Sequence, residues 1–168
     1  MATNRDTLTA WLRDAHAMEN QAISMLEGME GRLEHYPELR AKISEHARQT
    51  HRQAELIGGC LERLGEDRSA LKAGMGKLMG NMQAMSGLFV SDEVVKGALA
   101  SYTFEHFEIA SYKSLIAAAQ EAGEPEVRGV CEQILREEED MARWLGEHLP
   151  EITRAYMVRE ATGQPAKR

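Results

Sequence analysis

Aromatic residues are scarce in this chain: three Phe, two Trp and four Tyr in 168 positions, together with only four Pro. With ten Met and 43% apolar residues, those shortages point to a helical core, and the length suits one domain. Cysteine is nearly absent. Cys60 and Cys131 stand alone within helical stripes and form no CxxC or CxxH pattern, so they read as small buried hydrophobes, which excludes a disulfide framework and suits a reducing cytosol. Basic charge is also short. A formal net charge of −7, a pI near 5.4 and the lack of any Lys/Arg stripe argue against nucleic acid as a partner. No apolar run approaches the roughly 18 residues of a membrane span, and charges interrupt the N-terminal MATNRDTLTAWLRDA before it could serve as a signal peptide. The expectation is a cytoplasmic protein without membrane contact.

What is present is a set of glutamates in places where leucine would be ordinary. The first segment carries the stripe Leu8, Leu12, Ala15, Glu19, Ala22, Leu26, Met29, in alternating steps of three and four. A later one reads Val94, Ala98, Ser101, Glu105, Glu108, Tyr112, Leu115, Ala119, and the last reads Val127, Cys131, Ile134, Glu138, Met141, Leu145. Glu19, Glu105, Glu108 and Glu138 therefore face inward. An unpaired ionised carboxylate inside a helical core costs several kcal/mol, so such a group demands protons, counter-charges or a bound cation.

Turn and cap signals divide the chain into four long helices, expected at about 6–30, 37–64, 91–122 and 125–148. Pro37 and Pro125 open the second and fourth, Ser91 and Asp92 offer a cap for the third, and Gly123 and Pro150 close the third and fourth. Residues 66–88, rich in Gly and Met, read as a short helix within a long crossover, with Met75, Met79, Met82 and Met85 packing across it. Residues 150–168 read as a partly ordered extension. Two antiparallel hairpins joined by a long crossover make an all-α, ferritin-like four-helix bundle.

Counting residues from each hairpin turn, at 1.5 Å per residue, puts Glu19 level with Thr50 and Gln53, and Glu105 and Glu108 level with Glu138 and Met141, within about one turn. QAELIGGCL from Gln53 aligns with MARWLGEHL from Met141, suggesting an internal duplication that pairs Glu19 with Glu108 and Thr50 with Glu138.

Carboxylates from facing helices at one level are the material of a two-metal centre, since hard cations take oxygen ligands and bridging glutamates neutralise adjacent charges. The complete set known for such bundles has one Glu from each of two helices and Glu-x-x-His from the other two. Here the corresponding positions read Thr50-His51-Arg52-Gln53 and Glu138-Glu139-Asp140-Met141. Two iron or manganese ions are expected, with Glu19 and Glu108 as terminal or bridging ligands, Glu138 as a bridge and Glu105 as an added oxygen donor. His46, on the inward stripe Ile43, His46, Thr50, Gln53, Ile57, and Gln53 are further ligand or outer-sphere candidates. Tyr102 and Tyr112 lie on or near the same level as possible hydrogen-bond donors or reductants. Glu137, Glu139 and Asp140 read as a solvated acidic face, and His51, His106 and His148 as surface or boundary residues.

The block EHFEIASYKSLIAAA from Glu105, the HxxxT of His46 to Thr50 followed by His51 and Gln53, and the run from Arg13 to Gln21 resemble the YciE/YciF-like proteins over about Leu8 to Leu149. That resemblance implies a ferritin-like helical protein, commonly a homodimer, linked to bacterial stress responses and proposed to hold a di-metal centre. The chain departs from the family pattern at Gln49, where a Glu is usual, and at Ala142, where an Asp is usual, and each change removes a carboxylate.

Three functions remain open. A di-metal oxidoreductase or peroxide scavenger would act on a small oxidant. A non-catalytic, metal-free stress protein would instead carry a hydrogen-bonded polar core. An iron-storage shell or miniferritin-type oligomer is the third, which the acidic charge and the lack of a basic tail oppose.

Overall fold

The computed structural model describes residues 2–67 and 93–166. The expected crossover helix, its methionines Met75, Met79, Met82 and Met85, and the Ser91 and Asp92 cap lie outside the described residues. Among the described residues four helices form an all-α bundle: α1 (Asn4–Glu30), α2 (Pro37–Arg63), α3 (Glu93–Ala122) and α4 (Pro125–Ala161). α3 packs most extensively on α4 and α1 on α2, giving the two hairpins; α1 then lies on α3, and the seam between α2 and α4 is the loosest of the four.

Local chemistry sets the helix ends. α1 starts two residues before the expected Asp6 because Thr3 is the cap: its hydroxyl accepts from Asp6 N at 3.2 Å while the Asp6 carboxylate accepts from Thr3 N at 2.8 Å. Such a reciprocal box is worth about 1 kcal/mol. α2 begins on Pro37 as expected and ends at Arg63, one residue short of the expected 64. α3 closes through Gly123, whose φ of +72° lets Glu124 N reach Ala119 O at 2.9 Å.

The fourth helix corrects the sequence reading. It does not stop before Pro150 but runs on to Ala161, so residues 150–161 are helix rather than a loose extension. Pro150 removes one intrahelical hydrogen bond, a cost of about 3 kcal/mol in an ordinary helix interior. Burial downstream offsets it: Ile152 is buried in the same cluster as Leu33, Tyr36 and Leu39 at the α1–α2 turn, with Leu149 and Ala155 packed against them. Beyond α4 the chain folds back, and Tyr36 Oη donates to Ala166 O at 2.7 Å. Gly163, at φ +68°, makes the actual stop by letting Gln164 N bond to Arg159 O at 2.9 Å.

The apolar core falls into two clusters. One gathers Leu8, Leu12, Ile57, Leu61, Leu115, Val127 and Ile134; the other gathers Leu26, Ile43, Val94, Met141 and Leu145. Along each helix, the inward polar residues sit near the junction between them. Cys60 and Cys131 are free and buried, and burial raises their thiols to about 11 and about 12, leaving them un-ionised and inert as expected. Among the described residues no helix is long and apolar enough to cross a membrane.

Candidate metal centre

All four helices contribute to a buried polar layer. Glu19 comes from α1, His46, Thr50 and Gln53 from α2, Glu105 and Glu108 from α3, and Glu138 from α4, each no more than 2% exposed. Helical repeat explains the convergence: His46, Thr50 and Gln53 follow one another by four and three residues, and Glu105 and Glu108 by three, so each set shares a face. Thr50 spends its hydroxyl on His46 O at 3.0 Å and serves the helix rather than the cluster.

His46 sits at the middle of one half of the layer. Its Nε2 lies 3.2 Å from Glu105 Oε2 and 3.4 Å from Glu138 Oε2, at ion-pair distance, although neither oxygen is aligned for a hydrogen bond. Its Nδ1 is 3.1 Å from Gln49 Oε1. With the Nδ1 proton donated to Gln49, a neutral His46 turns its Nε2 lone pair toward both carboxylates, the tautomer a ligand requires. Ligand atoms of His46, Glu105 and Glu138 all lie within 4.8 Å of one another, so this group could hold a metal ion. Burial alone would lower the imidazole pKa, but Glu105 and Glu138 outweigh it and hold His46 well above its usual value.

Glu19 and Glu108 complete the layer from the other hairpin helices. Burial first, and then the charge of Glu138, push the Glu19 carboxyl well up, against the opposing pull of Tyr112 and His46. Tyr112 Oη donates to Glu19 Oε1, and burial beside that carboxyl pushes the Tyr112 phenol up as well. Glu108 is raised by burial and by the charges of Glu138, Glu19 and Glu105, with no counter-charge to relieve it. Glu138 feels both halves: burial lifts it to about 7 even with His46 pulling it down. Tyr112, not Tyr102, is the tyrosine that reaches the cluster; Tyr102 is half-buried with its ring edge-on to His106 at 4.6 Å.

Five oxygens in this layer have no hydrogen-bond partner among the described residues: Glu19 Oε2, Gln53 Oε1, Glu105 Oε2, Glu108 Oε1 and Glu138 Oε2. What distinguishes these acceptors is that all five gather in one layer, and carboxylate, imidazole and amide oxygen are together the donor set of hard to borderline divalent ions. Four inward carboxylates also match the charge of two divalent cations when His46 is neutral. The residues present therefore fit iron or manganese better than a thiolate-seeking metal.

All six sequence-derived candidates thus occupy one layer. Among the described residues His46, Glu105 and Glu138 form one tight group of acidic and imidazole ligand atoms, and Gln53 donates to Glu138. Glu139 and Asp140 are surface residues as expected, paired with Lys113 at 3.3 Å and Arg143 at 2.6 Å. Glu137 departs from that reading. It is half-buried and accepts from Gln53 Nε2 at 2.9 Å, the same nitrogen that reaches Glu138 Oε1 at 2.5 Å. Gln49, read only as a lost carboxylate, places its side-chain oxygen 3.1 Å from His46 Nδ1.

Known proteins share this fold. The sequence model of the DUF892 family, a domain of unknown function, matches residues 3–158. Among solved structures, a protein from Xanthomonas campestris is 40% identical over 95% of this chain and 99% of its own length, with a TM-score of 0.79. YcfI of Rhodopseudomonas palustris, described as a putative structural protein, is 25% identical over 86% of this chain and 94% of its own, with a TM-score of 0.69. The E. coli stress protein YciF shares the fold at a TM-score of 0.71, with 22% identity over 89% of this chain and 96% of its own.

Proposed function

The chain belongs to the DUF892 family, and from that premise and the buried polar layer we propose that it is a stress-associated ferritin-like protein holding two iron or manganese ions that act on dioxygen or peroxide. The observation that carries this reading is the set of five buried oxygens from four helices that accept no hydrogen bond among the described residues, two of them turned toward His46 Nε2. His46, Glu105 and Glu138 would hold one ion, and Glu19 and Glu108, with the remaining capacity of Glu138, would hold the other. When bound, a redox-active pair of this kind supplies electrons for the reduction of a small oxidant. The chain's own residues supply the frame. Gln49 fixes the His46 ring through Nδ1, the Tyr112 hydroxyl holds one oxygen of Glu19 and turns the other inward, and the two apolar clusters exclude water above and below.

A second reading has support of its own. A protonated His46 between Glu105 and Glu138, the Gln53 bonds and the Tyr112–Glu19 bond amount to a partly satisfied polar core that needs no ion. Turnover separates the two. The metal reading expects oxygen or peroxide consumption by iron-loaded protein that vanishes in Glu19→Ala and Glu138→Ala; equal rates in wild type and variants would overturn it. A storage shell or miniferritin would instead elute as a large hollow oligomer in size-exclusion chromatography.

We further propose a homodimer formed through the α1/α3 face, where Trp11 is 45% and Phe107 58% exposed beside Leu115 and Met18 around a cavity of about 490 Å³. Phe107→Asp is expected to shift the elution to that of a monomer, and an unchanged elution volume would refute this face.

A further inference from the structure

The buried layer is sealed by apolar clusters on both sides, so an ion that reaches it needs a route, and the α2–α4 seam offers one. This seam is the loosest in the bundle. It holds a cavity of about 570 Å³ lined by Leu56, Cys60, Val127 and Val130, with Arg52 and Gln133 at the end nearest the polar layer. From that end a continuous chain of polar groups leads inward. Gln133 Nε2 lies 3.4 Å from Glu137 Oε1, Glu137 Oε2 accepts from Gln53 Nε2 at 2.9 Å, and the same Nε2 donates to Glu138 Oε1 at 2.5 Å. Glu137 is half-buried, whereas Gln53 and Glu138 are fully buried.

We propose that Glu137 is the intake carboxylate of the metal centre, taking a divalent cation from the α2–α4 groove and passing it across the Gln53 amide to Glu138. The proposal rests on the metal reading above and adds its route. Gln53 is built for the transfer. Its Nε2 is spent between two carboxylates, while its Oε1 is buried with no partner among the described residues. A half-turn of the terminal amide, a broad two-fold torsion, exchanges these atoms and presents the carbonyl oxygen to a cation lying between Glu137 and Glu138. The groove lining carries Glu55 and Glu126 against Arg52 and Arg63, so its formal charges balance and the added carboxylate of Glu137 tips the inner end toward a cation. Arg63 pairs with Glu126 at 2.7 Å at the far end, and the Arg52 guanidinium turns along its own helix to Arg48 O at 3.1 Å. No step changes covalent bonds; the ion exchanges one set of oxygen ligands for the next.

The test is the loading of metal-free protein with Co²⁺, followed by stopped-flow absorption of its ligand-field bands. Glu137→Gln is expected to load about tenfold or more slowly than wild type, since a carboxylate in a groove raises local cation concentration and on-rate by that order. Its final stoichiometry and spectrum should match wild type. Glu139→Gln, which alters only a surface pair with Lys113, should load at the wild-type rate. Equal rates for Glu137→Gln and wild type would overturn the route while leaving the metal centre standing. A changed final spectrum or stoichiometry would also overturn it, by making Glu137 a ligand. Wild type that takes up no Co²⁺ would overturn the metal reading and the route together.

Discussion

Replacing Glu138 with Gln should make the protein more stable without metal and less stable with it. The reversal follows from what burial does to this carboxyl. It titrates near 4.5 in ordinary surroundings and is pushed up to about 7 in the fold, so ionising it there costs free energy that the unfolded chain does not bear. Linkage puts that cost at about 3 kcal/mol at pH 8 and about 1 kcal/mol at pH 5. Gln keeps the shape and can still accept from Gln53 Nε2 through its carbonyl, but it carries no charge. The attraction of His46, 3.4 Å away, is already contained in the folded value of about 7. The net expectation at pH 8 in chelator is a stabilisation of about 1–3 kcal/mol, or roughly 2–4 °C in Tm for each kcal/mol in a chain of this size. With Mn²⁺ at about a thousand times its dissociation constant, wild type should gain about 4.1 kcal/mol and the variant little, so the order inverts. Thermal melts followed by circular dichroism, with chelator and with Mn²⁺, measure both signs. A variant that is less stable than wild type in chelator at pH 8 would refute the reasoning, since it would mean that the ionised carboxylate is already well satisfied.

Two further outcomes are expected. Metal-free wild type should lose stability as pH rises from about 4.5 through about 7 and beyond, as seen in urea midpoints across that range. Glu19 and Glu108, raised in the same direction, bind protons more tightly folded than unfolded and so favour the fold at low pH; His46, also raised, loses its contribution as pH climbs through its folded value. A stability that increased over this interval would contradict the buried, clustered state of these groups. Pro150→Ala should restore one hydrogen bond in α4 and raise stability by about 1–2 kcal/mol; a loss would show that the Pro shapes the helix for its docking on the α1–α2 turn.

The bundle and its polar layer were legible in the sequence because burial leaves a periodic signal. A glutamate inside an apolar stripe at helical spacing stands out, and counting from two turns brings Glu19, Glu108 and Glu138 to one height without knowledge of any contact. What was hidden depends on contacts between elements. Pro150 reads as a terminator because its penalty is local, while the burial of Ile152 against Leu33 and Leu39 that outweighs it belongs to the opposite hairpin. Glu137 looked like one member of an exposed acidic run, since periodicity does not say that an amide from α2 reaches across to it. The separation of Glu105, beside His46, from Glu108, facing Glu19 and Glu138 without a counter-charge, likewise depends on side-chain direction within one helical turn.

Metal content bears most directly on whether inward carboxylates from both hairpins were placed to hold cations. Protein purified without chelator and then equilibrated anaerobically with Fe²⁺ or Mn²⁺ is passed through a desalting column and analysed by inductively coupled plasma mass spectrometry. About two ions per chain are expected to be retained by wild type, as for other carboxylate bundles of this kind, and fewer by Glu138→Gln and Glu108→Gln. A folded wild-type chain that retains no stoichiometric metal would contradict the central claim and leave His46, Gln53 and the four glutamates as a hydrogen-bonded core.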